Sequence, residues 1–248
     1  MTLSLNIKNL NKSYGNKHAL TQVNLQANSG EVLAVLGKNG AGKTSLIQSV
    51  LGLHTYQADC LEILGEKQAN HTRSQHLKSR IGVMMQVGSL NASLKVYEQL
   101  DLFSSYYPTG LSAEKLIEKF KLENIAQQKF GKISGGQRQQ VLFAIAVTGN
   151  PDLLFLDEPT VGMDIEARFQ LWQQVEQAKA VGASIVLTTH YIEEAERLAD
   201  RVAILSDGSI LKQGTLQEVI GEHDSLESAY LEFITQNRET STSESTHA

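Results

Sequence analysis

The stretch EVLAVLGKNGAGKTSLIQSVLGL, residues 31–53, leaves this chain few folds to choose from. EVLAVLG is a continuous apolar run closed by glycine, the pattern of a strand buried on both faces of a parallel sheet. From Thr44 apolar residues recur at helical spacing, which predicts a helix over 44–53. Between strand and helix, GKNGAGKT fits G-x-x-x-x-G-K-[ST] through Gly37, Gly42, Lys43 and Thr44. The glycines let the backbone turn sharply and aim N–H groups at phosphate oxygens. Lys43 suits the β- and γ-phosphates, and the Thr44 hydroxyl suits Mg²⁺.

Other segments supply partners for that strand. LLFLDEP, residues 153–159, ends an apolar run in two adjacent carboxylates. At a strand end both Asp157 and Glu158 can face a ligand crevice. Asp157 suits a hard cation such as Mg²⁺, and Glu158 suits a general base that polarises water. SIVLTTH and RVAILSDGSILKQG read as further strands, the second folded into a hairpin at Asp207-Gly208. Thr215 reads as an N-cap with Glu218 as its capping-box partner.

Ahead of the phosphate loop, LSLNIKNL and VNLQA read as short strands joined through a turn at YGNK. From about Val87 to Thr148 the texture turns helical through VYEQLDLFSSYY, SAEKLIEKFKL and GQRQQVLFAIAV. The expected architecture is α/β: a phosphate-loop core with a mostly parallel sheet, an N-terminal antiparallel β subdomain, and a helical subdomain inserted over about 87–148. The folded domain is expected to span 1–235, followed by a Ser/Thr-rich tail over 236–248 without regular structure. Inside the helical block, ISGGQRQ places Ser134, Gly135 and Gly136 at a helix start, where open backbone N–H groups make a second anion site.

Composition excludes several classes. A net charge of −5 gives no basic field for nucleic acid. The single cysteine, Cys60, is expected to be packed; it excludes an intrachain disulfide and fits a reducing compartment. MTLSLNIKNL lacks the regions of a signal peptide, and no uninterrupted apolar run reaches membrane-spanning length. These features predict a cytosolic protein.

GKNGAGKT, ISGGQ and LLFLDEP, in this order, resemble the nucleotide-binding subunit of an ATP-binding cassette (ABC) transporter, from residue 1 to about 220. The resemblance implies an ATPase that uses ATP and Mg²⁺ and dimerises head to tail. It also implies why one chain carries two anion sites: the signature at Ser134, Gly135, Gly136 and Gln137 closes over the γ-phosphate held by the other subunit. Carried over residue by residue, Tyr14 stacks on adenine. Gly37, Asn39, Gly40, Ala41, Gly42, Lys43, Thr44 and Ser45 wrap the phosphates. Gln86 touches Mg²⁺ and water and senses a transmembrane partner, Asp164 couples the two sites, and His190 contacts the γ-phosphate. Glu158, His190 and Gln86 form the implied catalytic set; Thr44, Gln86 and Asp157 form the implied metal set. Lys38, Ile133 and Met163 depart from the commonest family residues without removing a donor, carboxylate or required glycine.

PTVGMDIEARFQLW and TTHYIEEAERLADRVAIL are similar to the ATPases of drug, antibiotic and polysaccharide exporters of the ABC-2 type. Those work on a separate permease chain, at the cytoplasmic face of the membrane. A cassette ATPase outside transport, for example in iron–sulfur cofactor assembly, is the second class open at this point.

Overall fold

The computed structural model describes residues 2–69, 71–86 and 90–245, with side chains through 237. The expected start of the helical block at Val87 and the last three tail residues lie outside the described residues. The chain forms two compact units, Met1–Thr72 with Thr188–Ala248, and Arg73–Leu187.

The first unit opens with β1 (Leu3–Tyr14), β2 (Lys17–Asn28), β3 (Val32–Leu36), α1 (Lys43–Val50), β4 (Cys60–Ile63) and β5 (Glu66–Lys67). The second holds α2 (Gln75–Ser79), β6 (Ile81–Met84), α3 (Val96–Ser104), α4 (Ala113–Phe120), α5 (Gly135–Ala146), β7 (Leu153–Asp157) and α6 (Ile165–Ala180). β8 (Ser184–Thr189) begins in the second unit and its last two residues belong to the first. The first unit then ends with α7 (Ile192–Leu198), β9 (Arg201–Ser206), β10 (Ser209–Thr215), α8 (Leu216–Ile220) and α9 (Leu226–Ser245).

In the first unit an antiparallel sheet runs β2-β1-β4-β5. β1 does not keep one alternation: the register with β2 shifts between Ile7 and Leu10, around Asn9 at φ 52°. This bulge changes the phase of the strand, so burial passes from Leu5 and Ile7 to Leu10 and Lys12. Asparagine tolerates the left-handed region that the bulge imposes. β3 pairs in parallel with β9, and β9 turns back into β10 through the expected hairpin at Asp207-Gly208. All five residues of β3 are buried, as its apolar run predicts.

Ala34, Leu36, Val202 and Ile204 pack against Ala195 of α7, Val219 of α8 and Leu226 of α9. Thr215 caps α8 as expected, and its backbone N–H holds the Glu218 carboxyl below the usual carboxylate range. α9 spans Leu226–Ser245, so it crosses residue 235, where the folded domain was expected to end. Its first turns dock through Leu226 and Ala229, and a docked nucleus lets a helix propagate into residues too polar to start one. Cys60 is also less enclosed than expected, standing half-buried on β4.

In the second unit β6 pairs in parallel with β7, Ile81 opposite Leu153 and Met84 opposite Leu156. Val96, Leu100, Leu116, Phe120, Val141 and Phe143 bury the inner faces of α3, α4 and α5. Gly82 of β6 sits where a methyl group would overlap the Ala146 carbonyl oxygen and lie 2.9 Å from Leu154 Cδ1. Backbone cannot retreat as a flexible side chain can, so Gly82→Ala is expected to cost about 2 kcal/mol. Urea unfolding should show a lower midpoint with an unchanged slope.

Candidate nucleotide site

The phosphate loop lies wholly in the first unit, where β3 delivers the chain to Gly37 and α1 takes it on from Lys43. The Gly37 N–H donates to the Thr189 carbonyl at 3.1 Å, tying the loop to the end of β8. Gly42 stands at φ 111°, and a Cβ there would lie 2.7 Å from the Ala19 carbonyl oxygen. Glycine is thus demanded twice at this position, by conformation and by space. Beneath the loop, the Gly208 N–H donates to the Ala41 carbonyl at 3.0 Å, while the Gly208 carbonyl accepts from Thr21 N–H at 2.8 Å. The hairpin read from Asp207-Gly208 therefore does more than reverse the chain: it supports the loop. Lys38 Nζ and Asp207 Oδ1 add an exposed ion pair at 2.9 Å, worth little by itself.

Lys43 is buried, and its ammonium donates to the carbonyls of Gly37 at 2.6 Å and Lys38 at 3.0 Å. A buried ammonium ringed by its own loop, at the start of a helix capped only by Gly42, concentrates positive potential where phosphate oxygens belong. Lys38, Asn39 and Gly40 form the exposed tip, with open space around Gly40. The loop fits a polyphosphate. His190 follows Thr189 directly, so the bond that anchors Gly37 sits one residue away; its ring lies 4.1 Å from that of Tyr191. Tyr14, at the end of β1, is exposed and has Lys12 Nζ 4.4 Å from its ring centroid.

The second unit carries the acidic pair and the signature. Every residue of β7 is buried, ending at Asp157. Glu158 follows at φ 49°, a left-handed conformation costing about 1–2 kcal/mol for a non-glycine residue. Its carboxylate is held: Gln86 Nε2 donates to Glu158 Oε2 at 3.1 Å, a contact between residues far apart in sequence. Backbone strain at a buried strand-end carboxylate marks Glu158 as a candidate functional position.

Ser134 caps α5 with a capping box, its Oγ accepting from Gln137 N–H at 3.2 Å and its N–H donating to Gln137 Oε1 at 2.9 Å. Asp164 caps α6 by its side chain alone, Oδ1 accepting from Ala167 N–H at 2.8 Å. The two signature glycines have different reasons. A Cβ on Gly136 would lie 3.1 Å from Ala167 Cβ, so this glycine sets the approach of α5 to the start of α6. A Cβ on Gly135 would meet nothing closer than 3.6 Å, so packing does not explain it.

The residues read from sequence thus fall into two groups. Tyr14, the loop from Gly37 to Ser45 and His190 belong to the first unit; Gln86, Ser134–Gln137, Asp157, Glu158 and Asp164 belong to the second. Sequence reading passed over Lys12, which the bulge at Asn9 turns inward, and the support from Gly208, which acts through contacts distant along the chain.

A strand–loop–helix phosphate loop in the first unit, and a buried carboxylate pair and a capped diglycine helix start in the second, are the features of a phosphate-loop nucleotide hydrolase. Residues 20–161 match the family described as ABC transporter. The chain is 36% identical over 223 residues to the Nod factor export ATP-binding protein I of Burkholderia orbicola (strain AU 1054), covering 87% of this chain and 72% of that protein. It superposes on a solved ATP-binding subunit of an ABC transporter with TM-score 0.81 at 29% identity, covering 94% of this chain and all of the other. A dimeric post-hydrolysis cassette bound to ADP and Pi matches with TM-score 0.75 at 26% identity, over 85% of this chain and 98% of that one. The chain belongs to the ABC transporter family, as an ATP-binding and ATP-hydrolysing subunit.

Proposed function

We propose that this chain is the ATPase of an exporter, driving a separate permease through ATP-dependent homodimerisation at the cytoplasmic face of a membrane. The observation that carries the coupling is Gln86. Its amide holds the Glu158 carboxylate, and the same residue lines a groove of about 500 Å³ with Phe130, Arg138 and Leu142. A permease segment seated in that groove would bear on Gln86 and, through it, on the reacting carboxylate. The reading assigns the membrane path to another chain; no helix among the described residues is long and apolar enough to cross one.

In this reading Glu158 takes the proton of the attacking water, and Lys43 with the loop N–H groups orients the phosphates. Tyr14 receives the adenine, and His190 and the partner's signature reach the γ-phosphate. Thr44, Gln86 and Asp157 are the protein ligands proposed for Mg²⁺, which would neutralise charge on the phosphate oxygens. Their oxygens are the donors this cation takes, and Mg²⁺ is usually held by one or two carboxylates completed by phosphate and water. Export as the direction rests on the Nod factor export relatives.

Affinity capture of the chain from its native membranes should recover a membrane-spanning protein. Leu142→Arg, which puts a cation on the groove wall, should weaken that association at least tenfold while ATP binding is retained. Recovery of only soluble assembly factors would refute the transporter reading and favour a cassette working outside the membrane.

A further inference from the structure

Among the described residues Lys12 and Lys43 are the buried lysines, and the phosphate loop accounts for only one of them. A lysine is rarely enclosed without a function for its charge. Lys12 is enclosed because the bulge at Asn9 turns it onto the buried phase of β1. Tyr14 lies two residues on, and on a strand such neighbours project to the same side. The ammonium stands 4.4 Å from the Tyr14 ring centroid, within cation–π range, and Nζ donates to Thr55 Oγ1 at 3.5 Å. His54 makes a T-shaped pair with the ring, centroids 5.7 Å apart and planes at 82°.

We propose that Lys12 is a positioning residue for the nucleotide base, holding Tyr14 as a preset platform for adenine. The proposal rests on the reading of Tyr14 as the adenine contact. One face of the ring carries the ammonium, and Tyr14 stays exposed, so the opposite face is the one offered to a base. The cation also draws on the negative charge of the ring face, which reduces its repulsion toward the π-cloud of a stacked purine. Ring orientation is then fixed before nucleotide arrives, and less rotamer entropy is lost on binding.

Calorimetric titration of the full chain with MgATP, and separately with inorganic tripolyphosphate, tests this. Tripolyphosphate shares the phosphates and lacks the base. Lys12→Met should weaken ATP roughly fivefold, Lys12→Arg should restore near-normal affinity by keeping a cation over the ring, and tripolyphosphate should bind all of them alike. If Lys12→Met binds ATP as tightly as the parent, or more tightly because the ammonium competes with adenine, the inference is wrong. It is equally wrong if tripolyphosphate weakens in parallel, which marks a general structural defect. Tyr14→Ala separates this inference from its premise. Loss of ATP affinity in Tyr14→Ala with none in Lys12→Met leaves the platform standing and removes Lys12; no loss in Tyr14→Ala removes both. Should Lys12→Met fail to give a cooperative melt, Lys12→Gln keeps a donor toward Thr55, drops the charge and carries the same expectations.

Discussion

Glu158→Gln is expected to leave ATP binding near normal while turnover falls roughly 10²–10⁴-fold, the contribution of a positioned general base. The change keeps the shape of the side chain, and an amide oxygen can still accept from Gln86 Nε2, which now donates to Glu158 Oε2 at 3.1 Å. What it removes is the ability to take a proton from water. Lys43→Ala should behave differently. Its ammonium holds the carbonyls of Gly37 and Lys38, so truncation loosens the loop and removes a phosphate contact made in the ground state as well. ATP affinity itself should fall, and turnover with it. Steady-state ATPase assays beside nucleotide titrations separate the two patterns. Near-normal turnover in Glu158→Gln would take the residue out of its assigned role.

What the sequence made legible was whatever repeats locally. β3 and β7 announced themselves as continuous apolar runs because a parallel strand covered on both faces has no polar side to alternate with. The Asp207-Gly208 hairpin and the Thr215–Glu218 box were legible because a turn or a cap is decided within a few residues. The phosphate loop was legible for the same reason, its chemistry being packed into consecutive positions. Contacts closed by the fold were not legible. Nothing near Asn9 signals that a bulge will turn a lysine inward beneath Tyr14. Nothing in LLFLDEP shows that its glutamate will meet the amide of Gln86. α9 runs past its expected end because its stability comes from Leu226 and Ala229 docking, not from the composition of the residues it extends into. The signature glycines were read as a pair open to an anion; that Gly136 also packs close to Ala167 Cβ, while Gly135 has room for a Cβ, depends on α6 and was not legible in ISGGQ.

That division of labour frames the second large effect. Ser134→Arg and Lys43→Ala should each abolish ATPase activity as homodimers, yet a mixture of the two should recover it. Ser134 is exposed at the start of α5, where its hydroxyl caps the helix and Gly135 leaves room for an approaching group. Arginine there removes a cap worth about 1 kcal/mol and fills the approach with a bulky cation. Loss of the cap alone cannot unfold the chain, so circular dichroism should show the variant folded while activity is gone. In a mixed dimer one site combines an intact phosphate loop from one chain with an intact signature from the other, and the second site carries both defects. If the signature acts across the dimer, activity returns; if it acts within its own chain, every site stays broken and mixing restores nothing. Tight coupling between the sites could silence a half-intact dimer, so binding provides the independent reading. Glu158→Gln should accumulate an ATP-bound dimer visible by size-exclusion chromatography, since hydrolysis no longer dissolves it. Adding Ser134→Arg to that background should return the chain to monomer at the same ATP concentration. A double variant that still dimerises would show that the Ser134 end of α5 does not meet the partner's nucleotide.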